Sequence, residues 1–131
     1  MSLSAYRQTI KHTETPRAIE RRILAEINAE LTAHRDGFDR ANSNAEKLAI
    51  LSGSLRSALT RNLKFWTALR LDLISPGNQL PENLRANLIN LSLFVERQVA
   101  SVLAGKGSVG TLVDINASII AGLAGLQQQA A

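Results

Sequence analysis

Residues 43–75, SNAEKLAILSGSLRSALTRNLKFWTALRLDLIS, carry the pattern that decides the fold. Leu48, Leu51, Leu55, Leu59, Leu63, Trp66, Leu69 and Leu73 recur at steps of three and four, the period of one face of an α-helix. The stretch opens on Ser43-Asn44-Ala45-Glu46, a capping box in which the serine oxygen accepts from the amide three residues on and the glutamate reaches back. It closes on Ser75-Pro76-Gly77-Asn78, a cluster of turn formers. A single helix over 43–75 is therefore expected, central to the fold. Gly53 inside it costs on the order of 1 kcal/mol relative to alanine, so either a neighbour packs closely there or the helix bends, and close packing is the preferred reading.

Outward from this stretch the same period continues, and no run of alternating β-branched residues interrupts it. A first helix begins at Thr15-Pro16, an N-cap hydroxyl followed by proline where a missing N–H costs nothing, and is expected to stop at Gly37. Its stripe is Ile19, Ile23, Ile27 and Leu31, with Leu24 beside it. Residues 1–14 form an arm in which Leu3, Tyr6 and Ile10 have helical spacing, too short to be stable undocked. A third helix follows Leu80-Pro81-Glu82 and ends at Gly105, with Leu84, Leu88, Leu91, Val95, Val99 and Val102 inward. After the glycine-rich connection 105–110, a last helix is expected from Thr111, with Asp114 at its N-terminus and Leu112, Ile115, Ile119, Leu123 and Leu126 as its stripe. The expected architecture is all-α: one single-domain antiparallel bundle of about four helices plus a short N-terminal helical arm.

The 131 residues amount to one domain. The absence of cysteine excludes disulfides, thiolate metal sites and cysteine nucleophiles. His12 and His34 lie on different segments without paired carboxylates at ligand spacing, so no metal or cofactor is expected. Ser52-Gly53-Ser54 falls inside a helical pattern and cannot form a hydrolase elbow, which needs a strand-to-helix turn. In Gly105-Lys106-Gly107-Ser108-Val109-Gly110 no strand precedes the glycines and the order of a phosphate-binding loop is missing. No enzyme is expected.

The net charge of +4 is uneven: through Arg70 twelve Lys/Arg face seven Asp/Glu, and from Leu71 onward three face four. Acids are interleaved with the bases and aromatic stacking residues are few, so nucleic acid is not the expected partner. An RNA-associated post-transcriptional regulator using the basic first half is the alternative. No apolar stretch is continuous enough to insert in a membrane, and residues 1–7 show no secretory h-region, so a cytoplasmic chain is expected. What remains is helical surface. Trp66, Leu69, Ile89, Phe94 and Ile120 are apolar yet sit off, or at the margin of, the stripe needed to pack one neighbour, and are the candidate partner-binding residues.

Trp66, Asp72-Leu73, Asn78-Gln79-Leu80-Pro81, Leu84-Arg85-Ala86, Leu88-Ile89, Phe94-Val95, Val102-Leu103, Leu112-Val113-Asp114-Ile115-Asn116 and Gly122-Leu123, in this order, resemble the flagellar biosynthesis protein FlaF family of alphaproteobacteria. The start, Ser4-Ala5-Tyr6 followed by Pro16-Arg17 and Glu20, agrees with it. The pattern departs from the family's at Asn90, Phe94 and Ala117. The resemblance implies a flagellum biogenesis factor that binds flagellin as a secretion chaperone or regulator of its synthesis and export, with a functional link to the translational regulator FlbT.

Overall fold

A computed structural model describes residues 15–130, with side chains through residue 125; the arm carrying Leu3, Tyr6, Ile10 and His12 lies outside the described residues. Among the described residues five helices follow one another: α1 Pro16–Asp39, α2 Asn44–Ile50, α3 Ser54–Ile74, α4 Glu82–Leu103 and α5 Val109–Ala130. Among the described residues there is no strand, so the chain is an all-α bundle.

The Thr15 hydroxyl accepts from the Ala18 amide at 3.1 Å, as expected of the first cap. The helix does not stop at Gly37. It runs two residues further, because Phe38 is fully buried in the core, and that burial outweighs the roughly 1 kcal/mol that a helical glycine costs.

The 43–75 stretch is two helices rather than one. Its capping box forms, with the Glu46 amide donating to Ser43 Oγ at 3.1 Å and Glu46 Oε2 accepting from the Asn42 amide at 2.9 Å. After Ile50 the bonds tighten to the i−3 pattern, Ser52 N to Ala49 O and Gly53 N to Ile50 O, and the Ser52 hydroxyl donates to Ala49 O at 2.7 Å. Gly53 leaves the helical region (φ −103°, ψ −149°) and becomes the N-cap of α3. No neighbour packs closely there: a Cβ on Gly53 would meet only the Ile50 carbonyl, at 3.9 Å. The break follows from Ser52-Gly53-Ser54, three consecutive residues that either compete for backbone hydrogen bonds or cost backbone entropy. It turns Leu51 and Leu55 into the core and leaves Leu48 exposed.

The bundle consists of two closely packed pairs, α1 with α5 and α3 with α4, joined where α1 meets α3. The hub is therefore α1, which touches α2, α3 and α5, and not the 43–75 stretch. Contact between α4 and α5 is slight. The core is built from Leu31, Phe38, Leu55, Leu59, Trp66, Val99 and their neighbours.

Asp114 does not start α5, which begins at Val109. The cap comes from the end of α1: Asp39 accepts from the Val109 amide at 2.8 Å, the Gly110 amide at 2.9 Å and the Ser108 hydroxyl at 3.0 Å. Ser108 Oγ in turn accepts from the Thr111 amide at 3.3 Å. Asp114 instead pairs with Arg35 at 3.3 Å on the surface. Gly110 leaves room for this arrangement, since a Cβ there would stand 3.0 Å from Asp39 Oδ2 and from Arg35 Nε.

Candidate functional site

At the end of the bundle where α1 and α4 begin and α3 and α5 finish, the slight α4–α5 contact leaves an open apolar trough of about 220 Å³. Phe65 and Leu69 of α3 form one wall, and Leu84 and Leu88 of α4, with Leu80 before them, form another. Ile119, Gly122 and Leu123 of α5 close the third side, and the ion pair of Arg17 and Glu20, 3.0 Å apart, stands at the α1 rim. A second hollow, lined by Glu20, Ile23, Phe65, Ala68, Leu69 and Asp72, shares Glu20, Phe65 and Leu69 with the first, so the apolar surface continues between α1 and α3.

Local sequence explains each wall. The Asn78 side chain accepts from the Leu80 amide at 3.0 Å and donates to Asp72 Oδ2 at 3.1 Å, which fixes the turn and sets Leu80 against the start of α4. Leu84 and Leu88, one helical turn apart, continue that line. Gly122 supplies no side chain, and a Cβ there would meet nothing within 4 Å among the described residues, which leave the trough open at this point of α5.

The five residues singled out from the sequence do not form one surface. Trp66 is a correction: it is fully buried, with Phe65 edge-on to it at 6.4 Å, and offers no contact surface. Leu69 lines both hollows. Ile89 and Phe94, five residues apart on α4, are separated by about 140° around the helix and cannot share a face. Ile89 is half-buried and Phe94 is 40% exposed, outside the lining of the trough. Ile120 is half-buried and points about 100° away from Ile119, which is the residue that reaches the trough. Leu84, read from the sequence as an inward residue of the stripe, is 39% exposed at the trough's edge.

A buried polar network accompanies the trough and escaped the sequence reading. Trp66 Nε1 donates to Asn116 Oδ1 at 2.9 Å, and Asn116 Nδ2 donates to Asn62 Oδ1 at 2.8 Å and to Asn28 Oδ1 at 3.2 Å. Asn28 Nδ2 donates to the Val113 carbonyl at 3.2 Å. Helices α1, α3 and α5 are thereby fixed in one register. Asn62 Nδ2 is buried without a partner among the described residues. The signal was present in the spacing: Asn62 stands four residues before Trp66 and Asn116 four after Leu112, both on stripes that are otherwise apolar.

Among the described residues no group of three or more His, Cys, Asp or Glu is placed to hold a metal, and no helix is long and apolar enough to cross a membrane. His34 shares a 2.7 Å hydrogen bond with the Ser54 hydroxyl, tying α1 to the start of α3. A family model described as flagellar protein FlaF matches residues 2–123. No curated protein and no solved structure matches the chain.

Proposed function

The chain belongs to the FlaF family of flagellar proteins, and from that premise we propose that it binds flagellin in the cytoplasm, as a secretion chaperone and regulator of flagellin synthesis and export, without catalysing a reaction. The observation that carries this reading is the trough between α3, α4 and α5, an apolar surface that the helices around it do not close. Flagellin's terminal segments are amphipathic and unfolded before polymerisation. Such a segment lays its apolar face along Leu69, Leu84, Leu88 and Ile119 as a helix in a groove, and occupation of that face prevents premature assembly. FlbT is the functional counterpart within this reading.

Size-exclusion chromatography of the chain mixed with monomeric flagellin tests it, with two variants matched in exposure. Leu84 and Phe94 are 39% and 40% exposed on the same helix, so a glutamate costs folding similarly at either. Leu84→Glu is expected to weaken flagellin binding at least about tenfold, which is about 1.4 kcal/mol, and Phe94→Glu by no more than about twofold. Absence of co-elution removes the reading. A reversed ranking moves the client to the Phe94 side of α4.

A further inference from the structure

The trough has a resident candidate in the chain itself. Fourteen residues precede Thr15, and the chain enters α1 at the trough's rim, since Arg17 and Glu20 belong to the lining. Within those fourteen, Leu3, Tyr6 and Ile10 have the spacing of one helical face, and a helix of that length is stable only when docked. The five residues from Ile10 to Thr15 span at most about 17 Å when extended, enough to fold back over the first turns of α1. Charge agrees as well: Arg7 and Lys11, each one position after an apolar residue of that face, match Asp72 of the second hollow and Glu20, whose carboxylate Arg17 shares.

We propose that residues 3–10 dock in the trough through Leu3, Tyr6 and Ile10, so that the site is occupied by its own N-terminal segment until a client displaces it. The displacement clause rests on the flagellin reading; the docking does not. The free protein then hides its apolar surface, and a client competes with a tethered segment whose effective concentration lies in the millimolar range. Weak flagellin-like helices are rejected by this competition, while a segment with more apolar contact gains entry.

The chain has no cysteine, so an engineered pair reports proximity without background. In the full chain, Tyr6→Cys with Gly122→Cys places one thiol on the segment and one at the open point of α5, where the added atoms meet nothing. The control pair is Tyr6→Cys with Glu26→Cys, an exposed position on the outer face of α1. Docking predicts that the trough pair closes to an intramolecular disulfide about tenfold faster than the control, an advantage beyond what a tether starting near Gly122 gives by itself. Adding Leu3→Asp and Ile10→Asp should abolish that advantage. Equal closure rates, or an advantage that survives the two aspartates, overturn the proposal. Monomeric flagellin is then added to the trough pair: slowed closure supports displacement, whereas unchanged closure keeps the docking and removes flagellin from this site.

Discussion

The two ends of the bundle share α1, α3, α4 and α5 and differ in how completely those helices close. Where α1 and α4 finish and α2, α3 and α5 begin, Phe38, Leu51, Leu55, Val102 and Val109 are fully buried. Lys47 Nζ lies 5.1 Å from the centre of the Phe38 ring, and Asp39 ties α1 to α5 through two backbone amides. At the opposite end Leu69, Leu88 and Ile119 are half-buried and Leu84 is exposed, around the trough. The difference separates two tasks: stability concentrates at the Asp39 end, and apolar surface is left over for binding at the other.

The sharpest way to break this comparison is to truncate one apolar side chain at each end. Phe38→Ala removes a fully buried ring from a closed region and should cost about 3–5 kcal/mol. Leu84→Ala removes a side chain already in contact with water and should cost about 1 kcal/mol or less. Urea denaturation of both variants measures the ratio; equal losses would show that the two ends are equally stable and that the trough is an ordinary surface dent.

A second pair of variants sharpens the boundary between the ends, where the asparagine network sits. Asn116→Leu strips the partner from Trp66 Nε1, Asn62 and Asn28 at once, and with about 1–3 kcal/mol for each of the two buried groups, Trp66 Nε1 and Asn62 Oδ1, the loss should exceed about 2 kcal/mol. Asn62→Leu should cost less than about 1 kcal/mol, because Asn62 Nδ2 is already without a partner and Asn116 Nδ2 keeps Asn28. Similar melting temperatures for the two variants would mean that the network contributes nothing beyond shape.

How much of this was legible in the sequence differs between the ends for a physical reason. The helical period, the Thr15 and Ser43 caps and the turn at Asn78 are local properties, and the chain displays them directly. The break at Gly53 was visible as a glycine between serines, yet the continuous leucine stripe outvoted it, because a stripe says which side is apolar and not whether the axis continues. The capping of α5 by Asp39 spans 70 residues, and no local pattern could prefer it to Asp114. The trough was legible least. It exists because α4 and α5 touch only slightly, and a stripe residue such as Leu84 looks the same whether or not a neighbour arrives.

That long-range cap yields a smaller effect with a clear ranking. Asp39→Ala leaves two amides of α5 and the Ser108 hydroxyl without their acceptor and should cost about 1–2 kcal/mol. Asp114→Ala loses a solvent-exposed ion pair and should stay within about 0.5 kcal/mol. Thermal melts of the two decide which carboxylate starts α5, and a larger loss from Asp114 would restore the local reading.

The smallest effect expected is a gain at the open end. Gly122 is exposed within α5, and a Cβ there meets nothing within 4 Å, so Gly122→Ala removes backbone entropy from the unfolded chain without a clash. Stability should rise by about 0.4–1 kcal/mol, with flagellin affinity within about twofold, because one methyl takes up little of a trough of about 220 Å³. The same change at the closed end is expected to have the opposite sign. A methyl at Gly110 would stand 3.0 Å from Asp39 Oδ2 and Arg35 Nε, so these side chains have to give by a few tenths of an ångström, and Asp39 is held by the amides it caps. Should Gly122→Ala lower the melting temperature as Gly110→Ala does, the docked segment before Thr15 presses directly on this point of α5, and adding Leu3→Asp and Ile10→Asp should restore the gain.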